Sequence, residues 1–272
     1  MIDPLSEVFE AARSRGRAAL VGYLPVGFPT VSASVAALKA IADQGADIVE
    51  VGLPEHEAVL DGPVIRAAHR TALRAGTGPS DLLDALASLS RAGVPAVCVA
   101  YWSAITRYGA DRFADGLADA GCAGLLCPDL PQGAQERWVA RAAARGLGTV
   151  PLAPHGITGG RLAELAALGS GFVYATAGRG PTGAATLVHG LARSHVERVR
   201  TAVRLPVCAG IGISDSVHAA RAARYADAVA VGTAFVRRLA EAPGEREGIE
   251  AVGGLARDLA RAMAVRHAIG TG

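Results

Sequence analysis

Two acidic residues of this chain lie where a carboxyl group could take part in acid/base chemistry. Glu50 stands inside the short apolar segment Ile48–Val51. A charge in such a strand costs several kcal/mol unless it is paired or has a function. Burial would raise the carboxyl pKa, which suits a group that gives and takes a proton near neutral pH. A structural, ion-paired carboxylate is the alternative interpretation.

Asp61 and Asp129 also follow predicted strands. Asp61 lies in Leu60–Pro63, and Asp129 lies in Cys127–Pro131. Each sequence is also typical of an ordinary turn, so neither residue alone predicts a site. Two carboxylates that converge on one end of a sheet are a stronger indication, so we predict Glu50 and Asp61 as a catalytic pair, with Asp129 as a third candidate.

Three glycine-containing segments follow later strands and predict a phosphate site. They are Gly180–Gly183, Ala209–Ser214 and Val231–Ala234. Glycine has no Cβ, so backbone N–H groups can approach an anion, and Thr233 adds a hydroxyl at a predicted helix start. Tight turning alone is the alternative explanation for these glycines.

Other mechanisms are disfavoured by the residues available. A Schiff-base enzyme needs a desolvated lysine, and the single lysine, Lys39, lies within a predicted helix. The seven histidines are scattered, and the four cysteines show no metal-ligand spacing, so we predict neither a metal nor another cofactor. Acid/base cleavage or isomerisation of a molecule like a sugar phosphate remains.

Eight apolar segments that alternate with amphipathic stretches must position these residues. Such alternation predicts parallel strands joined by helices, and eight units favour a closed (β/α)₈ TIM barrel, in which catalytic residues lie at the carboxyl ends of the strands. We predict one domain over residues 1–272, with an extra N-terminal helix; an open doubly wound sheet is the alternative. The predicted strands are Ala19–Leu24, Ile48–Val51, Ala96–Ala100, Gly124–Leu126, Thr149–Leu152, Phe172–Ala175, Val207–Ala209 and Ala228–Val231.

Composition narrows the class of protein. The 272 residues are 51% hydrophobic and carry a net charge of +2 without a basic block, which argues against nucleic acid or an anionic membrane surface as a partner. No apolar run approaches the roughly 20 residues of a membrane span, and the N-terminus lacks the apolar core of a secretory signal. We expect a soluble, cytoplasmic protein with reduced cysteines.

The order and spacing of several motifs resemble the tryptophan synthase α family over nearly the whole chain. Together they are far more specific than any one alone. The matching segments are Gly22–Pro25 with Gly27 and Pro29, Glu50–Pro54, Asp61–Pro63, Pro128–Pro131, Thr182–Gly183, Gly210–Ser214 and Gly232–Thr233.

The resemblance implies retro-aldol cleavage of indole-3-glycerol phosphate to indole and glyceraldehyde 3-phosphate. It also implies that Glu50 moves protons between the indole carbon and the side-chain hydroxyl, and that Asp61 holds the indole N–H and stabilises the indolenine cation. Tyr101 and Tyr174 would otherwise be interpreted as core aromatics. By resemblance the substrate contacts are Tyr23, Tyr101, Asp129, Tyr174 and Thr182, and the phosphate contacts are Gly183, Gly212, Gly232 and Thr233.

The chain departs from the family pattern mainly after Pro54. Glu55, His56, Glu57 and Ala58 stand where an aromatic residue, Ser, Asp and Pro are usual. Because the family's loop contacts a β subunit, two acids there should weaken that interface. Further differences are Ser103 for Asn, Ala177 for Ser and Pro181 for Val.

These departures leave three functions open beside an ordinary α subunit. One is a stand-alone lyase that releases indole without a β subunit. Another is a different phosphate-handling barrel, such as a sugar isomerase. A third is a catalytically silent chain that binds and regulates a β-type partner.

Overall fold

The computed structural model describes residues 4–176, 189–210 and 212–264. Strands and helices alternate through these residues, in agreement with the predicted pattern. The strands are β1 Ala19–Pro25, β2 Ile48–Gly52, β3 Ala96–Val99, β4 Gly124–Leu126, β5 Gly148–Thr149, β6 Leu152–Pro154, β7 Val173–Thr176, β8 Val207–Gly210 and β9 Ala228–Val231. The helices are α1 Pro4–Ser14, α2 Val31–Asp43, α3 Pro63–Arg74, α4 Pro79–Arg91, α5 Trp102–Tyr108, α6 Ala110–Asp119, α7 Gln132–Ala143, α8 Gly159–Leu168, α9 His189–Ala202, α10 Ser216–Ala222, α11 Thr233–Glu241 and α12 Glu245–Met263.

All strand pairs are parallel, and the sheet closes into a barrel. The strand order is β5-β4-β3-β2-β1-β9-β8-β7-β6. The two terminal strands, β5 and β6, are consecutive pieces of one extended segment, so the chain itself joins the two ends of the sheet. The amide of Val150 donates to Leu125 on one side, and Pro151 accepts from the amide of Tyr174 on the other. The predicted (β/α)₈ barrel is confirmed, and the open sheet is excluded.

The fifth predicted strand, Thr149–Leu152, is wrong as a continuous element. It is divided between β5 and β6 at Val150 and Pro151. Proline has no N–H and cannot donate to a strand ladder, which explains the interruption. The other predicted strands agree with the structure within one or two residues at each end.

Successive strand residues point alternately into the barrel and outward to the surrounding helices. Val21 packs inside with other inward residues, whereas Leu20 and Leu24 pack outward in the layer between strands and helices. Helix α1, predicted as the extra N-terminal helix, covers the end of the barrel at which the strands begin. Its Phe9 packs against Phe172 with 5.4 Å between ring centroids. Hydrophobic burial by α1 therefore closes the end opposite the site.

Insertions between strands supply elements at the carboxyl end of the barrel. The long β2–β3 connection contains α3 and α4, and the β3–β4 connection contains the short α5 before α6. Asp215 caps α10 by accepting from the amide of His218, and α4 begins at Pro79. Of the helices in the described ranges, none is long and apolar enough to cross a membrane.

Candidate active site

Three predicted site residues project into the carboxyl end of the barrel. Tyr23 and Glu50 are direct neighbours in the parallel pairing of β1 and β2. The ring of Tyr174 on β7 lies so close to Gly210 that a Cβ added to Gly210 would be 1.9 Å from the Tyr174 Cε1 atom. A Cβ on Gly52 would likewise lie 2.4 Å from the Tyr23 hydroxyl. Glycine at these two positions therefore makes room for the tyrosine rings that line the site.

Glu50 is a buried carboxyl group at this end of the barrel, only 3% exposed. Among the described residues its Oε1 atom has no hydrogen-bond partner, and no ion pair within that part of the chain involves it. Burial raises its pKa to about 8. Glu50 is thus mainly protonated at neutral pH and can act as an acid there, and the structure offers no support for the ion-paired alternative.

Asp61 lies on the loop between β2 and α3, and its charge at neutral pH differs from that of Glu50. Its Oδ2 atom accepts a hydrogen bond of 2.9 Å from the Tyr101 hydroxyl, which in turn accepts from the amide of Leu60 at 3.3 Å. Burial raises the pKa of Asp61 to about 6, although the Tyr101 hydrogen bond and the charge of Arg66 lower it. Asp61 is therefore mostly ionised at neutral pH while Glu50 is mostly protonated.

The two carboxyl groups lie near the same pair of tyrosines. Burial is the largest influence on the hydroxyl pKa of both Tyr23 and Tyr174, and the charges of Glu50 and Asp61 raise it further in both. Such shared electrostatic contact requires all four side chains to lie close together. Both tyrosines keep their protons and can donate hydrogen bonds to a substrate.

His69 on α3 completes this side of the site, and the sequence reasoning missed it. Its Nδ1 atom accepts from the amide of Glu55 at 3.4 Å, so in the neutral ring Nε2 carries the hydrogen and donates to the Tyr23 hydroxyl at 3.1 Å. Burial lowers the His69 pKa to about 4 and keeps the ring neutral. The hydrogen of the Tyr23 hydroxyl is then available to another acceptor. A histidine on the apolar face of an amphipathic helix, beside Ile65 and Ala72, was the sequence signal.

Asp129 does not point into the barrel but contacts the start of α5. It is exposed, and its Oδ1 atom accepts from the amide of Trp102 at 2.7 Å, which caps the first turn of α5. Its predicted contact with substrate stays a prediction.

The described part of the predicted phosphate cradle lies at the ends of β8 and β9. Gly212 has a φ of +75°, a conformation that favours glycine, and a Cβ there would meet nothing within 4 Å. Gly232 precedes α11, and Thr233 is its first residue. The first amides of a helix have no partner within it and can bind an anion. Thr182 and Gly183 lie outside the described residues, as do the departures at Ala177 and Pro181.

The loop that departs from the family pattern turns one of its two acids inward. Glu55 and Ala58 are buried, whereas His56 and Glu57 are exposed. The Glu55 carboxylate accepts from Ser103, another departing residue, at 3.1 Å. Of the two acids that were expected to weaken a partner interface, only Glu57 is therefore exposed.

Comparison with known proteins places the chain in a family. The family model of the tryptophan synthase alpha chain matches residues 9–264. The tryptophan synthase alpha chain of Streptomyces coelicolor is 45% identical over 260 residues, covering 95% of this chain and 96% of the relative. That of Thermobifida fusca is 44% identical over 235 residues, covering 85% and 87%. A chain of Mycobacterium tuberculosis tryptophan synthase superposes with a TM-score of 0.90 at 39% identity, covering 97% of this chain and 100% of that one. The resemblance of the motifs is confirmed, and the chain belongs to the tryptophan synthase alpha chain family.

Proposed function

We propose that this chain is a carbon–carbon lyase that cleaves indole-3-glycerol phosphate to indole and glyceraldehyde 3-phosphate, as an alpha-type chain of tryptophan biosynthesis. One observation carries the residue roles: at neutral pH a protonated Glu50 and an ionised Asp61 lie near the same two tyrosines, Tyr23 and Tyr174. A cytoplasmic location is part of the proposal and rests on composition alone.

The reaction needs one proton delivered and one removed, and Glu50 can do both. Its carboxyl group first protonates C3 of the indole ring, which creates a cationic indolenine. The Asp61 carboxylate accepts a hydrogen bond from the ring N–H and stabilises that positive charge. Glu50, now ionised, takes the proton of the hydroxyl on the adjacent carbon while the carbon–carbon bond breaks. The bonding electrons restore the indole ring, the aldehyde leaves, and Glu50 is protonated again.

Substrate binding divides between the two sides of the barrel mouth. Tyr23, Tyr101 and Tyr174 surround the carboxyl groups and would contact the indole and glycerol parts, with Asp129 at the rim and Thr182 beyond the described residues. The phosphate would bind to the amides of Gly212 and Gly232 and to Thr233 at the start of α11, together with Gly183. The glycine positions and the helix start support this assignment.

A β-type subunit is the proposed partner, and the loop that carries Asp61 is its expected contact. Val59 is 70% exposed and Leu60 is 40% exposed, so two apolar side chains beside the catalytic aspartate face solvent in the isolated chain. Apolar groups of this kind gain from burial against another protein.

The alternative functions have less support. Since Glu55 turns inward, one reason for proposing a stand-alone lyase is lost, and no observation favours the isomerase or the silent regulatory chain.

The test is turnover of indole-3-glycerol phosphate by the purified chain, alone and with a β subunit, with glyceraldehyde 3-phosphate followed by a coupled dehydrogenase. Glu50→Gln keeps the shape of the side chain but cannot transfer the proton, so it should abolish cleavage and leave inorganic phosphate binding unchanged. Glu250→Gln, an exposed substitution on α12, is the matched control. No cleavage by the unaltered chain under either condition, or full activity of Glu50→Gln, would overturn the proposal.

A further inference from the structure

The loop that carries Asp61 is attached to α5 near its end. This segment, residues 53–62, connects β2 to α3. Tyr101, directly before α5, bonds to the Asp61 carboxylate and to the amide of Leu60. Asp129 in turn holds the first turn of α5 from the β4 side. Helix α5 is thus a support against which the catalytic aspartate is placed.

The same loop is attached to α5 a second time, through the carboxylate of Glu55. Its Oε2 atom accepts from the Ser103 hydroxyl at 3.1 Å and from Nη2 of Arg107 at 3.3 Å. These donors are four residues apart and therefore lie on one face of the helix. Its Oε1 atom accepts from the amide of His56 at 2.8 Å, so three donors surround a side chain that is only 2% exposed.

Between these two attachments the loop has little packing of its own. His56, Glu57, Val59 and Leu60 are exposed, and Ala58 is the one buried residue among positions 56–60. The hydrogen bonds of Glu55 therefore limit the positions that the rest of the loop can take. The amide of Glu55 also bonds to His69, the partner of Tyr23. Displacement of Glu55 would thus reach both Asp61 and Tyr23.

We propose that Glu55 is a positioning residue that holds Asp61 in its catalytic place by anchoring the start of its loop to Ser103 and Arg107. The inference rests on the proposed function of the same site. Glu55 lies outside the reacting groups and acts only through the loop. A displacement of about 1 Å at a reacting group can cost about a hundredfold in rate, so even a modest loop shift should be measurable.

The experiment measures kcat for indole-3-glycerol phosphate and the inhibition constant of inorganic phosphate. Glu55→Ala should lower kcat about 10- to 100-fold, since Asp61 acts in the transition state, and should change phosphate inhibition less than about twofold. Ser103→Ala and Arg107→Ala each remove one donor and should lower kcat by about two- to fivefold. Thr106→Ala is the matched control, because Thr106 lies on α5 and its hydroxyl bonds, within the described residues, to carbonyl groups of that helix alone.

A double-mutant cycle separates positioning from general damage to the fold. In the Asp61→Asn background, Glu55→Ala should lower the single-turnover rate by less than about twofold, because the group that it positions is already altered. The proposal is overturned if folded Glu55→Ala keeps kcat within twofold, or if its loss is equally large without Asp61. If Glu55→Ala does not fold, full activity of both Ser103→Ala and Arg107→Ala overturns it. If the unaltered chain cleaves the substrate and Asp61→Asn is impaired, but Glu55→Ala has normal activity, this inference is refuted while the proposed function stands.

Discussion

The buried carboxyl group of Glu50 should make the fold less stable as the pH rises. In the folded chain its pKa is about 8, against an ordinary value of 4.5 in the unfolded chain. Below pH 4.5 both states bind the proton, and the stability associated with the neutral group is fully present. Between these values only the unfolded state is ionised, so the free energy of unfolding falls as the pH rises towards 8. The substitution Glu50→Gln removes this dependence because an amide does not titrate.

The size of the effect follows from the two pKa values. One pKa unit corresponds to about 1.4 kcal/mol. Between pH 5.5 and pH 8.5 the contribution of the Glu50 carboxyl to the free energy of unfolding falls by the equivalent of about 2.5 pKa units. This fall amounts to about 3 kcal/mol. The amide of Glu50→Gln has a burial cost of its own, but that cost is the same at both pH values. The difference between the two proteins should therefore change by about 3 kcal/mol in favour of Glu50→Gln.

Urea unfolding followed by circular dichroism at the two pH values measures this difference. All other titrating groups are shared by the two proteins, so their contributions cancel when the free energies are subtracted. Glu250→Gln, on the exposed face of α12, should show no comparable change between the two pH values. If the unaltered chain and Glu50→Gln lose stability in parallel, Glu50 is not held protonated by burial, and the reasoning that makes it the acid fails.

The kcat/KM of cleavage should follow a bell-shaped pH profile. It should fall below about pH 6, where Asp61 is protonated, and above about pH 8, where Glu50 ionises. Undiminished activity at pH 9.5 would contradict this prediction. Tyr101→Phe removes a hydrogen bond that lowers the Asp61 pKa, a loss of about 1.5–3 kcal/mol for a bond to a charged group. The acid limb should therefore rise by about 1–2 pH units, and a limb that stays in place would count against that hydrogen bond. Gly210→Ala would bring a Cβ to 1.9 Å from the Tyr174 ring, whereas Gly133→Ala meets nothing within 4 Å. We expect the first to lower kcat/KM at least about tenfold and the second to have no effect in the same assay.

Local sequence determined most of the barrel and the type of chemistry. Runs such as Ala228–Val231 are apolar throughout because parallel strands are covered on both faces, so each could be predicted without knowledge of its neighbours. Glu50 could be identified because a carboxyl group in such a run has no local reason to be there. The glycines after β8 and β9 marked the same end of the barrel, since they directly follow predicted strands. That residues 1–272 form one domain stays a prediction.

The tertiary structure decided what depends on partners distant in sequence. The break at Pro151 places β5 beside β4 and β6 beside β7, a division that the apolar run itself does not reveal. His69 gains its role from contacts with Tyr23 and Glu55, 46 and 14 residues away. Glu55 resembled a surface acid by its residue type, yet donors on α5, 48 and 52 residues further along, allow its burial. The sequence by itself therefore predicted which residues could react, whereas their protonation and support depend on burial and hydrogen bonds that exist only once the barrel has closed.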